Sequence, residues 1–191
     1  MEFSDTKLIV FSGPSGSGKS TLVNRLLRDK FLDAEFSVSA ASRPPRKGET
    51  DGKHYYFLSE EAFQEKIAEG AFAEWQQVYK GNYYGTLKSE IERIRKSGKH
   101  VLFDIDAAGG MNIKRMYGSQ ALTVFIKPPS PEVLEERLKK RGTEAPESFK
   151  KRTKKAAYEI SMAENFDCVV INDDLETAVA EVKNILQKFL H

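Results

Sequence analysis

The chain has 191 residues, with 30 Lys and Arg against 28 Asp and Glu, and its net charge of +2 excludes an overall basic field for nucleic acid or an anionic membrane, so any cationic site must be local. This length fits one substantial core and is too short for two ordinary α/β domains. The single cysteine, Cys168, excludes an intrachain disulfide, and the apolar run from Cys168 to Ile171 predicts a buried core thiol.

The first predicted element is a short apolar, partly β-branched strand, Leu8 to Phe11, suited to burial in a parallel sheet. It runs into Gly13-Pro14-Ser15-Gly16-Ser17-Gly18-Lys19-Ser20, which fits the phosphate-binding pattern G-x-x-x-x-G-K-[ST]. The glycines let successive backbone N–H groups face one anion, Lys19 reaches the β/γ-phosphates, and the Ser20 hydroxyl suits Mg²⁺. Thr21 continues into a helix in which Leu22, Val23, Leu26 and Leu27 recur at helical spacing. The anion therefore meets a helix N-terminus, whose dipole and free N–H groups favour negative charge.

Phe36 to Ser39 alternates as a half-buried strand, and a polar Pro/Gly/Arg-rich loop follows from Ser42 to Lys53. His54 to Leu58 reads as a strand, and Ser59-Glu60-Glu61 opens a helix carrying Phe63 and Ile67 that stops at Gly70. Extended pieces at Phe72 to Val78 and Tyr83 to Thr86 complete a small α+β unit. A helix from Leu87 to Lys96 then leads to a strand at His100 to Asp106. Its acids, Asp104 and Asp106, fall at the carboxyl end, where open parallel sheets bind ligands.

A strand at Ala121 to Ile126 leads through Pro128-Pro129 to a helix opened by Ser130-Pro131. Arg137 to Arg152 is basic and mostly polar. A long helix from about Glu147 to Asn165, a strand at Asp167 to Ile171 and an amphipathic helix with Leu175, Val179, Val182, Ile185 and Leu186 close the chain. The strand–helix alternation predicts an α/β fold with a parallel sheet. No run approaches the roughly 18 apolar residues of a membrane span, and the polar stretch Met1 to Lys7 carries no signal-peptide pattern, so a soluble cytoplasmic protein is expected.

A phosphate loop alone serves many reactions. The Asn-Lys-x-Asp element with which GTPases select guanine is missing, since Asn172-Asp173-Asp174 lacks the lysine. Beyond the loop, the motifs are Ser37 to Glu49, Gly52 to Phe57, Glu74-Trp75, Gly81 to Thr86, Asp104-Ile105-Asp106, Arg141-Gly142-Thr143 and Ile171 to Asp174. Together, in this order, they make the chain resemble the guanylate kinases over essentially its whole length.

That resemblance implies a P-loop NTPase-type parallel sheet flanked by helices, with an inserted α+β GMP-binding region and a helical lid. The implied organisation is one domain over residues 1–191: a core at about 1–35, 87–127 and 155–191, the insertion at about 36–86 and the lid at about 128–154. The implied reaction moves the γ-phosphoryl group of ATP to GMP, giving ADP and GDP in purine nucleotide metabolism, with Mg²⁺ beside ATP. The implied partners are these small molecules, with no nucleic acid, membrane or obligate protein partner. A relative that binds proteins in place of nucleotides typically lacks an intact phosphate loop, whereas Lys19 and Ser20 stand here.

The expected ATP site is Gly13 to Thr21, with the metal held by Ser20 and, through water, Asp104. Guanine presents two adjacent N–H donors that one carboxylate can accept together; Glu74 is the candidate, with Asp106 assisting and the hydroxyls of Ser39 and Thr86 completing the contact. Arg43 and Arg46 offer planar forks for the GMP phosphate, and Tyr55 and Tyr84 add hydroxyl donors. The expected catalytic cations are Lys19 with Arg137, Arg141 and Arg152 of the lid, Arg137 and Arg141 lying four apart on one helical face. Two departures from the family pattern are Ala108, where many members have glutamine, and an extra residue around Tyr79-Lys80.

Overall fold

In the computed structural model, residues 6–140 and 146–191 are described, without the side chains of Tyr79, Lys140 and residues 146–152. Nine strands and seven α-helices alternate among these residues: β1 Leu8–Ser12, α1 Lys19–Arg28, β2 Ala34–Phe36, β3 Ala40–Ala41, β4 Tyr56–Phe57, α2 Glu60–Ala68, β5 Phe72–Tyr79 and β6 Asn82–Leu87. They continue with α3 Lys88–Lys96, β7 His100–Asp104, α4 Ala107–Tyr117, β8 Ala121–Lys127, α5 Pro131–Lys140, α6 Pro146–Ser161, β9 Cys168–Ile171 and α7 Leu175–Leu190.

The main sheet has the order β2-β7-β1-β8-β9 and every pairing in it is parallel. Its central strand β1 is buried on both faces, as its unbroken apolar run requires. Because side chains alternate along a strand, Ile9 and Phe11 pack with Leu22, Leu26, Val179 and Val182 of α1 and α7. Leu8 and Val10 turn the other way, onto Ile91 and Ile94 of α3 and Ile113 of α4. A parallel sheet covered by helices on both faces is the predicted α/β architecture.

The second sheet has the order β4-β3-β6-β5 and rests on α2. Its own small core gathers Ala40, Phe63 and Phe72 with Tyr56, Ile67 and Tyr83. The rings of Phe63 and Phe72 stack with centroids 4.4 Å apart. The predicted caps are present: Ser59 Oγ accepts from Ala62 N at 3.1 Å, and Ser130 Oγ accepts from Val133 N at 3.3 Å.

Four local expectations change. The strand expected at Phe36 to Ser39 is divided: Ala34–Phe36 belongs to the main sheet, and pairing resumes at Ala40 in the second. Residues 37–39 thus carry the chain from one sheet to the other. The long helix closes at Ser161, and a single 3-10 turn at Ala163–Asn165 follows. Cys168 is only partly buried, because β9 is an edge strand of the main sheet.

Helix α4 is the fourth change, for it has no counterpart in the sequence reading. Gly109 and Gly110 weaken helix propensity, yet tertiary packing calls for them. A Cβ at Gly110 would stand 2.7 Å from Ser12 Oγ, so glycine lets α4 lie against β1. Asp106 caps α4, its Oδ1 accepting from Gly109 N at 3.0 Å.

A candidate nucleotide-binding active site

The loop from Gly13 to Gly18 joins the carboxyl end of β1 to α1. Gly16 and Gly18 have φ of 91° and 82°, the left-handed region that suits glycine. Asn172 donates through Nδ2 to the Ser17 carbonyl at 2.7 Å, tying the loop to the end of β9. A Cβ on Gly18 would strike that same amide. No side chain caps α1, so its first N–H groups remain available to an anion at the positive end of the helix dipole.

Parallel pairing places the end of β7 beside the loop, with Phe11 opposite Asp104. Asp104 meets both residues that follow the loop's last glycine: Lys19 Nζ donates to Oδ1, and Ser20 Oγ donates to Oδ2 at 2.8 Å. A cleft runs from Gly13–Ser20 past Asp104, Ile105 and Asp106 to Lys155, Ala156 and Glu159 of α6. Burial pushes the Glu159 carboxyl above its usual range. On the other flank of the loop, Gly16, Gly18, Thr21, Arg137, Asn172 and Asp173 line a second hollow. Arg137 donates there to the Asn172 carbonyl at 3.1 Å.

A third cavity opens between the sheets, and Asp104, Ile105 and Asp106 belong to its wall as well. The remaining wall is Ser39, Tyr55, Glu74, Gln76, Tyr84 and Gly85. Thr86 is fully buried behind it. Glu74 is only 7% exposed, and Thr86 Oγ1 donates to its Oε1 at 2.6 Å. Burial first, and then the negative Asp106, raise the Glu74 pKa to about 7.

At the mouth of this cavity Arg43 holds a planar double contact with Glu49, at 2.6 and 2.7 Å, and donates from Nε to Tyr84 Oη at 2.9 Å. Its guanidinium lies 5.1 Å from the centre of the Tyr55 ring. Hydrogen bonds from Arg43 hold the Glu49 carboxyl down to about 2. Glu49 also accepts from the Arg46 backbone N at 2.7 Å, while the Arg46 side chain is exposed.

The described residues thus bring the expected ATP set together around Asp104, and bring Ser39, Tyr55, Glu74, Tyr84 and Asp106 around one cavity. Arg141 lies outside the described residues, as does the side chain of Arg152, although the backbone of residue 152 belongs to α6. A register shift falls between Gln77 and Tyr79, where an extra residue was expected, and pairing from Glu74 to Gln77 keeps one register, Glu74 with Thr86 and Gln76 with Tyr84.

Two residues escaped the sequence reading. Gln76 shares a strand face with Glu74, and its Nε2 donates to Asp106 Oδ2. The i, i+2 spacing from Glu74 was the available signal. This amide reaches Asp106 from β5. The other is Glu49, an acid in a basic Pro/Gly-rich loop that forms neither helix nor strand, so its spacing to Arg43 and Arg46 gives no sign that they meet.

The family model described as guanylate kinase matches residues 5–189. The chain is 50% identical over 185 residues to the guanylate kinase of Porphyromonas gingivalis, covering 97% of this chain and 98% of that protein. It is 50% identical over 186 residues to that of Bacteroides fragilis, covering 97% of this chain and 91% of the other. Among solved structures, the guanylate kinase from Anaplasma phagocytophilum matches with a TM-score of 0.74 at 34% identity, covering 97% of this chain and 86% of that one.

Proposed function

The chain belongs to the guanylate kinase family and phosphorylates GMP to GDP at the expense of ATP, and we propose that it does so across the wall formed by Asp104, Ile105 and Asp106. The carrying observation is that this one segment lines both the phosphate-loop cleft and the cavity around Glu74. Two nucleotides seated in the two spaces meet there end to end, phosphate against phosphate.

On the donor side, the N–H groups of Gly13 to Thr21 and the Lys19 ammonium receive the ATP phosphates. Arg137 stands on the flank of the loop, and Arg141 and Arg152 are proposed to add cations over the transferring group. The Mg²⁺ that accompanies ATP fits the hard oxygens of Ser20 and Asp104, 2.8 Å apart, the second reached through water. A hydrated site with one or two protein oxygens is the usual Mg²⁺ pattern. Held by these residues, the ion would supply positive charge against the ATP phosphates.

On the acceptor side, Glu74 takes the paired N–H donors of guanine, with Asp106, Ser39 and Thr86 around the base. Arg43, Arg46, Tyr55 and Tyr84 take the phosphate. Adenine lacks the donor pair and would leave the buried Glu74 carboxylate without donors from the base, a cost of about 1–3 kcal/mol. The acceptor phosphate, with a second pKa of about 6 by analogy with phosphorylated side chains, is already an oxyanion at neutral pH and requires no general base. The protein's work is then alignment and charge neutralisation around an in-line transfer.

Residues 128–154, which take in α5 and the first part of α6, are the proposed lid, and residues 36–86, with most of the second sheet, are the proposed GMP-binding insertion. Their closure would exclude water, the competing nucleophile. We place the reaction in the cytoplasm, where ATP and GMP are at hand. The test is ADP release from Mg-ATP with GMP, dGMP, AMP, CMP or UMP as acceptor, beside a control lacking acceptor. GMP-dependent release with slow hydrolysis in the control is expected; hydrolysis without acceptor as fast as transfer would contradict the alignment mechanism.

A further inference from the structure

Where the chain crosses from the main sheet to the second, one buried carboxylate grips it. Ser37 N still bonds the Leu102 carbonyl of β7 at 2.9 Å, whereas the Ser39 carbonyl already accepts from Tyr56 N of β4 at 2.9 Å. Between them, Val38 N donates to Glu90 Oε1 at 3.1 Å. The Tyr56 hydroxyl donates to Glu90 Oε2 at 2.9 Å. Glu90 lies in the first turn of α3, directly after β6 of the second sheet ends at Leu87 and before the chain re-enters the main sheet at β7.

The Glu90 side chain is 2% exposed. A carboxylate so buried is costly unless its oxygens are well bonded. Arg93 supplies the remaining contacts, with Nη2 to Oε1 and Nε to Oε2 both at 2.9 Å. The same guanidinium donates to Glu35 of β2 at 2.7 Å. The chain of contacts therefore links the main-sheet edge, α3, the outgoing crossing and β4.

The two groups gripped from the second sheet and its crossing are immediate neighbours of two acceptor-site residues: Val38 precedes Ser39, and Tyr56 follows Tyr55. Tyr56 opens β4 with its hydroxyl on Glu90, and Tyr55, the bridge residue just before it, lines the cavity shared with Ser39, Glu74 and Tyr84. We infer that Glu90, together with the Tyr56 hydroxyl, is a positioning residue of the acceptor site, setting where Ser39 and Tyr55 stand relative to the main sheet. This rests on the reading of Ser39 and Tyr55 as GMP ligands.

A carboxylate serving only to hold the fold would affect stability without favouring one substrate. A positioning residue for the acceptor site separates the two KM values. In the full chain, Tyr56→Phe and Glu90→Gln are each expected to raise KM for GMP about tenfold, the scale of losing a hydrogen bond to a charged group. KM for ATP should stay within about twofold of the parent. The double variant should be no worse than the poorer single one, because both remove the same contact.

Tyr55→Phe serves as the control on the underlying reading and is expected to raise KM for GMP. If it does so while Tyr56→Phe and Glu90→Gln keep the parental value, Glu90 is structural only and the inference falls. Equal rises in both KM values, or a lowered melting temperature with no KM change, overturn it in the same way. An unchanged KM for GMP in Tyr55→Phe itself would sink the reading of the acceptor site, and the inference with it.

Discussion

Glu74 and Thr86 face each other across the β5 and β6 pairing, and the threonine hydroxyl donates a 2.6 Å hydrogen bond to a carboxylate that is only 7% exposed. The bond occupies Oε1. Position 109 of α4 lies so near Oε2 that a Cβ there would stand 2.9 Å away. Strand pairing and a helix start together hold the carboxylate that we assign to guanine.

The first prediction concerns pH. The Glu74 carboxyl rises from its ordinary 4.5 to about 7 on folding, through burial above all. The folded protein therefore holds this proton more tightly than the unfolded chain, and the resulting stability is present below pH 4.5 and lost as pH rises through 7. Glu74→Gln stays neutral, so relative to the parent it should gain about 3 kcal/mol between those limits. Urea unfolding of both proteins at a series of pH values checks this; a gap independent of pH would refute it.

The second concerns Gly109. Glycine here has an ordinary helical backbone, so alanine is resisted only by the closeness of Glu74. Gly109→Ala should displace the carboxylate and raise KM for GMP about tenfold with KM for ATP unchanged, the signature of lost acceptor binding. Steady-state kinetics with each substrate varied in turn decides it. A rise in both constants would point to a general distortion of α4.

The third concerns Glu49, which could compete with the GMP phosphate for Arg43 or hold Arg43 ready for it. It also accepts from the Arg46 backbone, and this second bond favours the holding role. Glu49→Gln is therefore expected to raise KM for GMP, by about fivefold for one weakened charge-assisted bond. A lower KM would mean that Glu49 competes.

The fourth concerns Lys19. Loss of a cation that neutralises the transferring phosphoryl group costs about a hundredfold or more in turnover. Lys19→Ala should lose at least that much while calorimetry still detects GMP binding, since the acceptor cavity has no wall at Lys19. Turnover near the parental rate would remove Lys19 from the mechanism.

Read from its sequence, the chain already yields the phosphate loop, its strand and helix, the parallel α/β alternation and the residues that we propose for the acceptor site. These are local signals: glycine spacing, apolar period and short runs of fixed residues each act within about one turn or one strand. Helix α4 was illegible because Gly109 and Gly110 argue against a helix locally, and the reason for them, Ser12 and Glu74, lies far away in sequence. The division of the strand at Phe36 to Ser39 was hidden for a related cause, since alternation gives a strand's faces but not the sheet it joins.

Tertiary structure alone decided that Asp104 bonds Lys19 directly, that Gln76 reaches Asp106, that Glu49 fills the fork of Arg43, and that Glu90 grips the crossing between the sheets. Each of these pairs a carboxylate with donors from another element or another part of a loop, and no period along the chain encodes such a meeting. Burial then gave them their weight: away from water a carboxylate must find donors, so the fold that buries Glu74 and Glu90 also determines which residues must answer them.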